Sequence, residues 1–291
     1  MTSPLEKLGI GTSQFPLEEG PALRGRSPAE QVKDILQIAA RAGLSVLDVA
    51  SRAPQNEASL GQLMPRPVPF RLAVSTVRAD KGPDVVEREL VASLRRLGVE
   101  SCDTVLVPTA SDLFGDTGLG LWNRLQRLKD QGVCRKIGFT VFASDDPVGL
   151  ARRFRPDVVQ APASLLDQRL LVNGALAEIA GLGIEVHLRS IFLNGLLFLP
   201  PDRVPSQLKG AAGRISRARR LIAEGRSDPL QAALGFALSR PEASAVLVGV
   251  TSPGELSAVI AAAASPPPDL DWDDMALDDA SVIDSRSWAA A

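Results

Sequence analysis

Tyrosine is absent from these 291 residues, and histidine occurs once, as His187. Any reaction that takes its proton from a tyrosine is thereby excluded, and a Ser/His/Asp or Cys/His triad has only His187 for its base. A two-histidine metal motif is out of reach. With two cysteines, Cys102 and Cys134, a cysteine-rich zinc site is nearly so, and no metal is expected. So few cysteines argue against a disulfide framework and for a reducing compartment. The opening residues, MTSPLEKLGI, have no basic stretch leading into an apolar core, so a cytoplasmic protein without a signal peptide is expected. No apolar run is long enough to span a bilayer, so no membrane association is expected. Neither sign of charge dominates. The 32 Lys+Arg and 34 Asp+Glu give a net charge of −2, with no broad basic field for nucleic acid.

What is there is apolar and regularly spaced. Hydrophobic residues make up 45% of the chain, enough for a core that needs no staples. Short aliphatic or β-branched runs predict strands at Leu8–Gly11, Ser45–Ala50, Phe70–Val77, Asp103–Pro108, Lys136–Val141, Asp157–Ala161, Ile184–Ser190 and Ala245–Val250. Amphipathic stretches lie between most of them. The clearest opens with Ser27 as N-cap and Pro28 in the first helical position, then sets Val32, Ile35, Leu36 and Ile38–Ala39 on one face up to Gly43. Further helices are predicted at Pro83–Leu97, Leu121–Gln131, Pro147–Phe154, Gly174–Leu182, Pro229–Ser239 and Pro253–Ala264.

Eight strands alternating with helices imply parallel pairing with both faces covered, and the length suits a (β/α)8 TIM barrel. A doubly wound sheet competes, but LGIGTS after the first strand is not the glycine-rich phosphate fingerprint and no helix follows it directly. Residues 1–264 read as one barrel domain. Residues 198–226 form a basic insertion, either a solvated helix over the barrel or a lid over an anionic ligand. Residues 265–291 read as an acidic tail opened by Pro266–Pro268, extended and partly mobile, with Trp272 and Trp288 as docking points.

Seven segments, in order and nearly without gaps, resemble the aldo/keto reductase family. LGIGTSQF is similar to its opening strand. Residues 48–61, DVASRAPQNEASLG, track its D-T-A-x-x-Y-G-x-S-E-x-x-L-G. Leu90–Val107 and Leu128–Phe142 resemble its S-L-x-R-L-G and G-K-x-R-x-I-G-x-S-N-F stretches. Asp157–Arg169 holds the expected Gln160, Ile184–Leu197 resembles the stretch ending in G-L-L, and Leu247–Val259 resembles the strand and helix that hold cofactor phosphate. The resemblance implies the (β/α)8 fold and carbonyl reduction with NAD(P)H by an Asp, a Tyr, a Lys and a His at the barrel mouth. Asp48 matches the first. Ala53, Val77 and Pro108 occupy the other three positions, so the chain resembles a degenerate member. For the cofactor, the resemblance implies Thr12, Thr140 and Gln160 near the nicotinamide, Arg189 in place of the stacking Tyr, and Gly249 and Thr251 at the phosphates. Val141, Glu255 and Val259 replace an Asn, a Gln and an Asn. The changes favour NADH over NADPH and leave NAD(P)H binding open.

Strand alternation puts Glu185, His187 and Arg189 on one face of the seventh strand, looking inward. Arg189 is expected either to pair with Asp48 across the mouth or to recognise an anionic ligand. His187 reads as a core histidine beside Glu185. Cys102 and Cys134 read as structural residues at the opposite end, and Trp122 as packing. Three functions follow: a barrel that has lost carbonyl reduction and keeps a small-molecule mouth, an active NAD(P)H-dependent oxidoreductase with a different proton donor among Arg52, Arg78, Lys81 and His187, or a scaffold that binds a protein partner or second copy through its tail. RSIFLNGLL resembles relatives associated with surface-sugar pathways, which implies a sugar or nucleotide-sugar ligand.

Overall fold

A computed structural model describes residues 4–15, 28–50, 53–284 and 288. Ser27 and Arg52 lie outside the described residues. Eight parallel strands close into one barrel in sequence order: β1 Leu8–Gly11, β2 Val46–Val49, β3 Arg71–Ser75, β4 Cys102–Val107, β5 Cys134–Thr140, β6 Val158–Pro162, β7 Glu185–Arg189 and β8 Ala243–Gly249. The ring closes where Gly9 pairs with Val46 on one side and Leu247 on the other. The longer helices are α1 Pro28–Arg41, α2 Pro54–Leu63, α3 Pro83–Leu97, α4 Gly115–Asp130, α5 Pro147–Phe154, α6 Ala175–Gly181, α7 Ala212–Glu224, α8 Pro229–Leu238 and α9 Pro253–Ala264. The architecture is a (β/α)8 barrel.

Strand alternation divides the core. Outward residues such as Leu47, Val74, Val105, Val159 and Val248 meet the helices in the main cluster. Inward residues Val46, Ala73, Leu106, Val158, Ala245 and Leu247 fill the barrel itself. A side chain at Gly9 would start 2.8 Å from Leu247 Cδ2, so a glycine there leaves the barrel centre to Leu247. Trp122, Phe139 and Phe154 stack edge-to-face in the outer layer, with centroids 5.4 to 6.4 Å apart, and Trp122 is packing. Cys102 and Cys134 are buried register partners at the strand starts, and burial raises their thiols to about 12 and about 11.

Two helices differ from expectation. α2 was not expected as a helix because its buried face is not apolar. Glu57 is 2% exposed and accepts from Arg96 Nε at 2.6 Å and Ser93 Oγ at 2.8 Å, so the periodic signal is missing. α2 also crosses α3 closely enough that a Cβ at Gly61 would fall 2.3 Å from Arg96 O. α4 begins at Gly115 rather than Leu121, its first turns masked by Gly115, Gly118 and Gly120, which have poor helix propensity.

The tail, expected to be extended and partly mobile, is docked through residue 284. Met275, Leu277, Val282 and Ile283 are buried in a second cluster with Ile215, Ile222, Phe236, Leu165 and Leu166. Leu277 N donates to Leu166 O at 2.8 Å, Gln168 Nε2 to Trp272 O at 2.6 Å, and Trp288 Nε1 to Val282 O at 3.0 Å. Apolar residues scattered among aspartates carry no periodic signal, yet each contributes about 1.5–3 kcal/mol once buried. The insertion is the other half of this packing. α7 buries Ile215, Ala218 and Ile222 and turns Arg214 and Arg217 to Asp278 and Asp274 of the tail, at 3.1 and 3.0 Å. It is a helix packed against the tail and α8, and none of its basic residues lines the large cavity at the mouth.

Candidate functional site

The strand ends place the candidate residues. Asp48 is the third residue of β2, Val77 lies two beyond β3, Pro108 follows β4 and Arg189 ends β7. Ala53 is the N-cap of α2, where it offers no side-chain cap. All therefore stand at the C-terminal face of the barrel, where barrel sites are built. A cavity of about 880 Å³ opens there, along β1, β7 and β8. It brings together Asp48, Arg189, Gly249 and Thr251. Ala53, Val77 and Pro108 do not line it, and Val77 packs against the main apolar core. Thr12, Thr140 and Gln160 are buried and do not line it.

Asp48 is the electrostatic anomaly of the mouth. Burial raises its carboxyl from 3.8 to about 6, and the Gln160 side chain, His187 and Arg189 only partly oppose that. Neither Asp48 Oδ1 nor Gln160 Nε2 completes a hydrogen bond, although both are buried. Gln160 spends its oxygen on Thr140 Oγ1, at 3.2 Å. The direct Asp48–Arg189 ion pair expected from the strand pattern is not formed. Arg189 donates to Val141 O at 3.2 Å and Ser190 Oγ at 3.0 Å, and its guanidinium lies 4.3 Å from the centroid of Phe142. It acts on Asp48 through its field alone, as the weakest of the three opposing influences.

Among the described residues, none of the candidate replacement donors reaches the cavity. Arg78, next to Val77, turns away to Asp112, with Nε 2.9 Å from both carboxylate oxygens. Lys81 is exposed on a one-turn 3-10 helix, Ala79–Lys81, outside the cavity. His187 is 2% exposed, lies beside Gln160 in the register, and has neither ring nitrogen hydrogen-bonded. Its Nε2 is 3.6 Å from Glu185 Oε2, at the barrel floor. Among the described residues, no group of three or more His, Cys, Asp or Glu is placed to hold a metal ion.

Three aromatic residues line the cavity that sequence reasoning did not assign to a site: Phe142, Phe192 and Phe198, the last two with ring centroids 5.3 Å apart. The signal was the pair of phenylalanines in RSIFLNGLLF. The loop that carries them holds left-handed residues at Ser190, Leu193, Asn194 and Gly195.

At the far end, the turn between β8 and α9 is already satisfied from within. Glu255 accepts from Thr251 N at 2.6 Å and from Thr251 Oγ1 at 2.9 Å, while Ser252 Oγ accepts from Glu255 N at 3.2 Å. Gln14 packs over Gly249, where a Cβ would meet Gln14 Oε1 at 2.4 Å. A nicotinamide dinucleotide brings a pyrophosphate, and NADPH a further phosphate. Arg189 is the single cation among the described residues lining the cavity. The residues at this end do not fit those phosphates; at the other, Asp48 Oδ1 and Gln160 Nε2 are buried without a hydrogen-bond partner.

The family model described as the aldo/keto reductase family matches residues 7–277. No curated protein matches the sequence. An aldo-keto reductase from Bacillus halodurans, solved in its holo form, superposes with a TM-score of 0.73 at 20% identity, covering 92% of this chain and 89% of that one. The glycerol dehydrogenase of Gluconobacter oxydans superposes with a TM-score of 0.70 at 17% identity, covering 92% and 90%. At these identities the solved structures speak for the fold.

Proposed function

The chain belongs to the aldo/keto reductase family, and we propose that within it this barrel has lost carbonyl reduction and keeps its mouth as a binding site for a small polar molecule. One observation carries the reading: Asp48 lines the mouth, the positions expected to carry its partner donors hold Ala53, Val77 and Pro108, and among the described residues Arg78 is bonded to Asp112, His187 is buried and Lys81 lies outside the cavity. Reducing a carbonyl leaves an alkoxide that must be protonated or stabilised. General acid catalysis is worth roughly 10²–10⁴ in rate and an oxyanion donor about 10²–10³. The two do not add within one constellation, but losing both leaves turnover far below that of a working enzyme.

What the mouth retains suits a hydroxyl-rich ligand. Asp48 and Arg189 line the cavity with one charged group of each sign, and Phe142, Phe192 and Phe198 offer flat apolar faces. A sugar or nucleotide sugar in the cytoplasm matches this and the RSIFLNGLL resemblance, and the former is the better match for a cavity with one cation. The test is calorimetry with a panel of keto sugars, polyols and sugar nucleotides. Saturable binding to the wild type, weakened at least tenfold in Asp48→Ala, is expected. A panel that leaves the protein untouched, or binding indifferent to Asp48, would refute the reading.

An active oxidoreductase has one observation in its favour. With its carboxyl near 6, Asp48 is a carboxylic acid in about one molecule in ten at pH 7, so Asp48 itself is the donor to examine. The scaffold reading has none of its own, because the apolar residues of the tail are spent on the second core.

A further inference from the structure

We propose that Glu255 sets the ligand class of this cavity: its carboxylate occupies the anion position at the turn between β8 and α9 and turns the cavity toward ligands without a diphosphate. Loops after the last strands of a barrel, followed by a helix N-terminus, make a ready anion site, because backbone N–H groups point outward and the helix dipole favours negative charge. Here that turn lies on the cavity wall, with Gly249, Val250, Thr251 and Glu255 all lining it.

The site is filled from within. Glu255 Oε2 takes the Thr251 amide at 2.6 Å, and both carboxylate oxygens take the Thr251 hydroxyl, at 2.9 and 3.0 Å. Ser252 caps α9 through Glu255 N. Both donors of Thr251 are thus bonded to an anion of the chain, and that anion repels a second one. No cation from the last unit compensates: Arg189, the one cation among the described lining residues, is held by Val141 O and Ser190 Oγ. Ser252 supplies the N-cap half of a capping box, which accounts for the helix start, while Glu255 reaches one residue past the N-cap to Thr251 N. The added consequence arises because the capping carboxylate stands on the wall of a cavity of about 880 Å³.

The proposal concerns what enters the cavity, whereas the loss of reduction concerns Asp48 and its surroundings. The probes are NADPH, followed by its fluorescence, and ADP, followed by calorimetry. Wild type, Glu255→Gln and Glu255→Ala are compared. Glu255→Gln keeps an acceptor for Thr251 N and removes the charge. Glu255→Ala also frees the amide. Thermal unfolding of each variant checks that α9 still forms. Wild type should bind neither probe measurably at 0.1 mM or so. Both variants should gain at least tenfold, about 1.4 kcal/mol, with Glu255→Ala ahead. Wild-type binding as tight as that of the variants overturns the proposal, as does a failure of both variants to gain. NADPH binding to wild type without turnover would overturn the proposal alone and leave the loss of reduction standing.

Discussion

The two ends of this barrel treat an acidic side chain in opposite ways. At the floor, Glu185 lies beside His187 and 2.7 Å from Lys136 Nζ, with Arg71 Nη1 at 3.9 Å, and its carboxyl is held down to about 2. At the mouth, Asp48 has no cation in contact among the described residues, and burial pushes its carboxyl up to about 6. The floor is compensated and holds the strands together. The mouth carries an uncompensated group facing a cavity, which is where strain tolerated for a ligand is expected. A desolvated carboxyl is thus tolerated at the mouth, while the carboxylate with cations close by lies at the floor.

The sharpest way to break this contrast is Asp48→Asn. The folded-state value lies above the unfolded one, so the wild type loses stability as pH rises from about 4 to about 6. The amide removes that penalty. Asp48→Asn should therefore match the wild type near pH 4 and exceed it by about 2–3 kcal/mol at pH 7.5, read by denaturant unfolding at both pH values. A variant less stable than wild type at pH 7.5 would show that the carboxylate is compensated after all.

Lys136→Met probes the floor with a smaller effect of opposite sign. Glu185 is depressed, so its contribution is present above about 4.5 and is lost as pH falls toward about 2. His187 is the larger cause of the depression, and Glu185 is one-third exposed, so screening reduces what Lys136 supplies. A loss of about 1–2 kcal/mol at pH 7, shrinking below pH 4, is expected from the same unfolding series. No loss at pH 7 would leave the floor no better compensated than the mouth.

The fold was legible wherever apolar spacing tracked structure. All eight strands were recognisable because their outward residues are β-branched or aliphatic and their helices amphipathic. Legibility ended where burial is polar or irregular. Glu57 hid α2, glycines hid the first turns of α4, and the tail concealed Met275, Leu277, Val282 and Ile283 among aspartates. At the site, sequence placed Asp48 and Arg189 at one mouth. It could not show that Arg189 would turn to Phe142 and Val141, because cation–π and main-chain partners leave no pattern in the chain. The Glu255–Thr251 contact was in principle readable, since Ser252 and Glu255 have capping-box spacing.

Steady-state NADPH oxidation with a panel of aldehydes and keto sugars, in wild type and in Glu255→Ala at pH 5.5 and 7.5, tests the central claim most directly. The variant ensures that failure to admit the cofactor is not mistaken for failure of the chemistry. The account predicts no rate above the uncatalysed background in either protein at either pH. Turnover of about 1 per second or faster would contradict it, and turnover that rises as pH falls through 6 and disappears in Asp48→Asn would make Asp48 the proton donor of a working reductase.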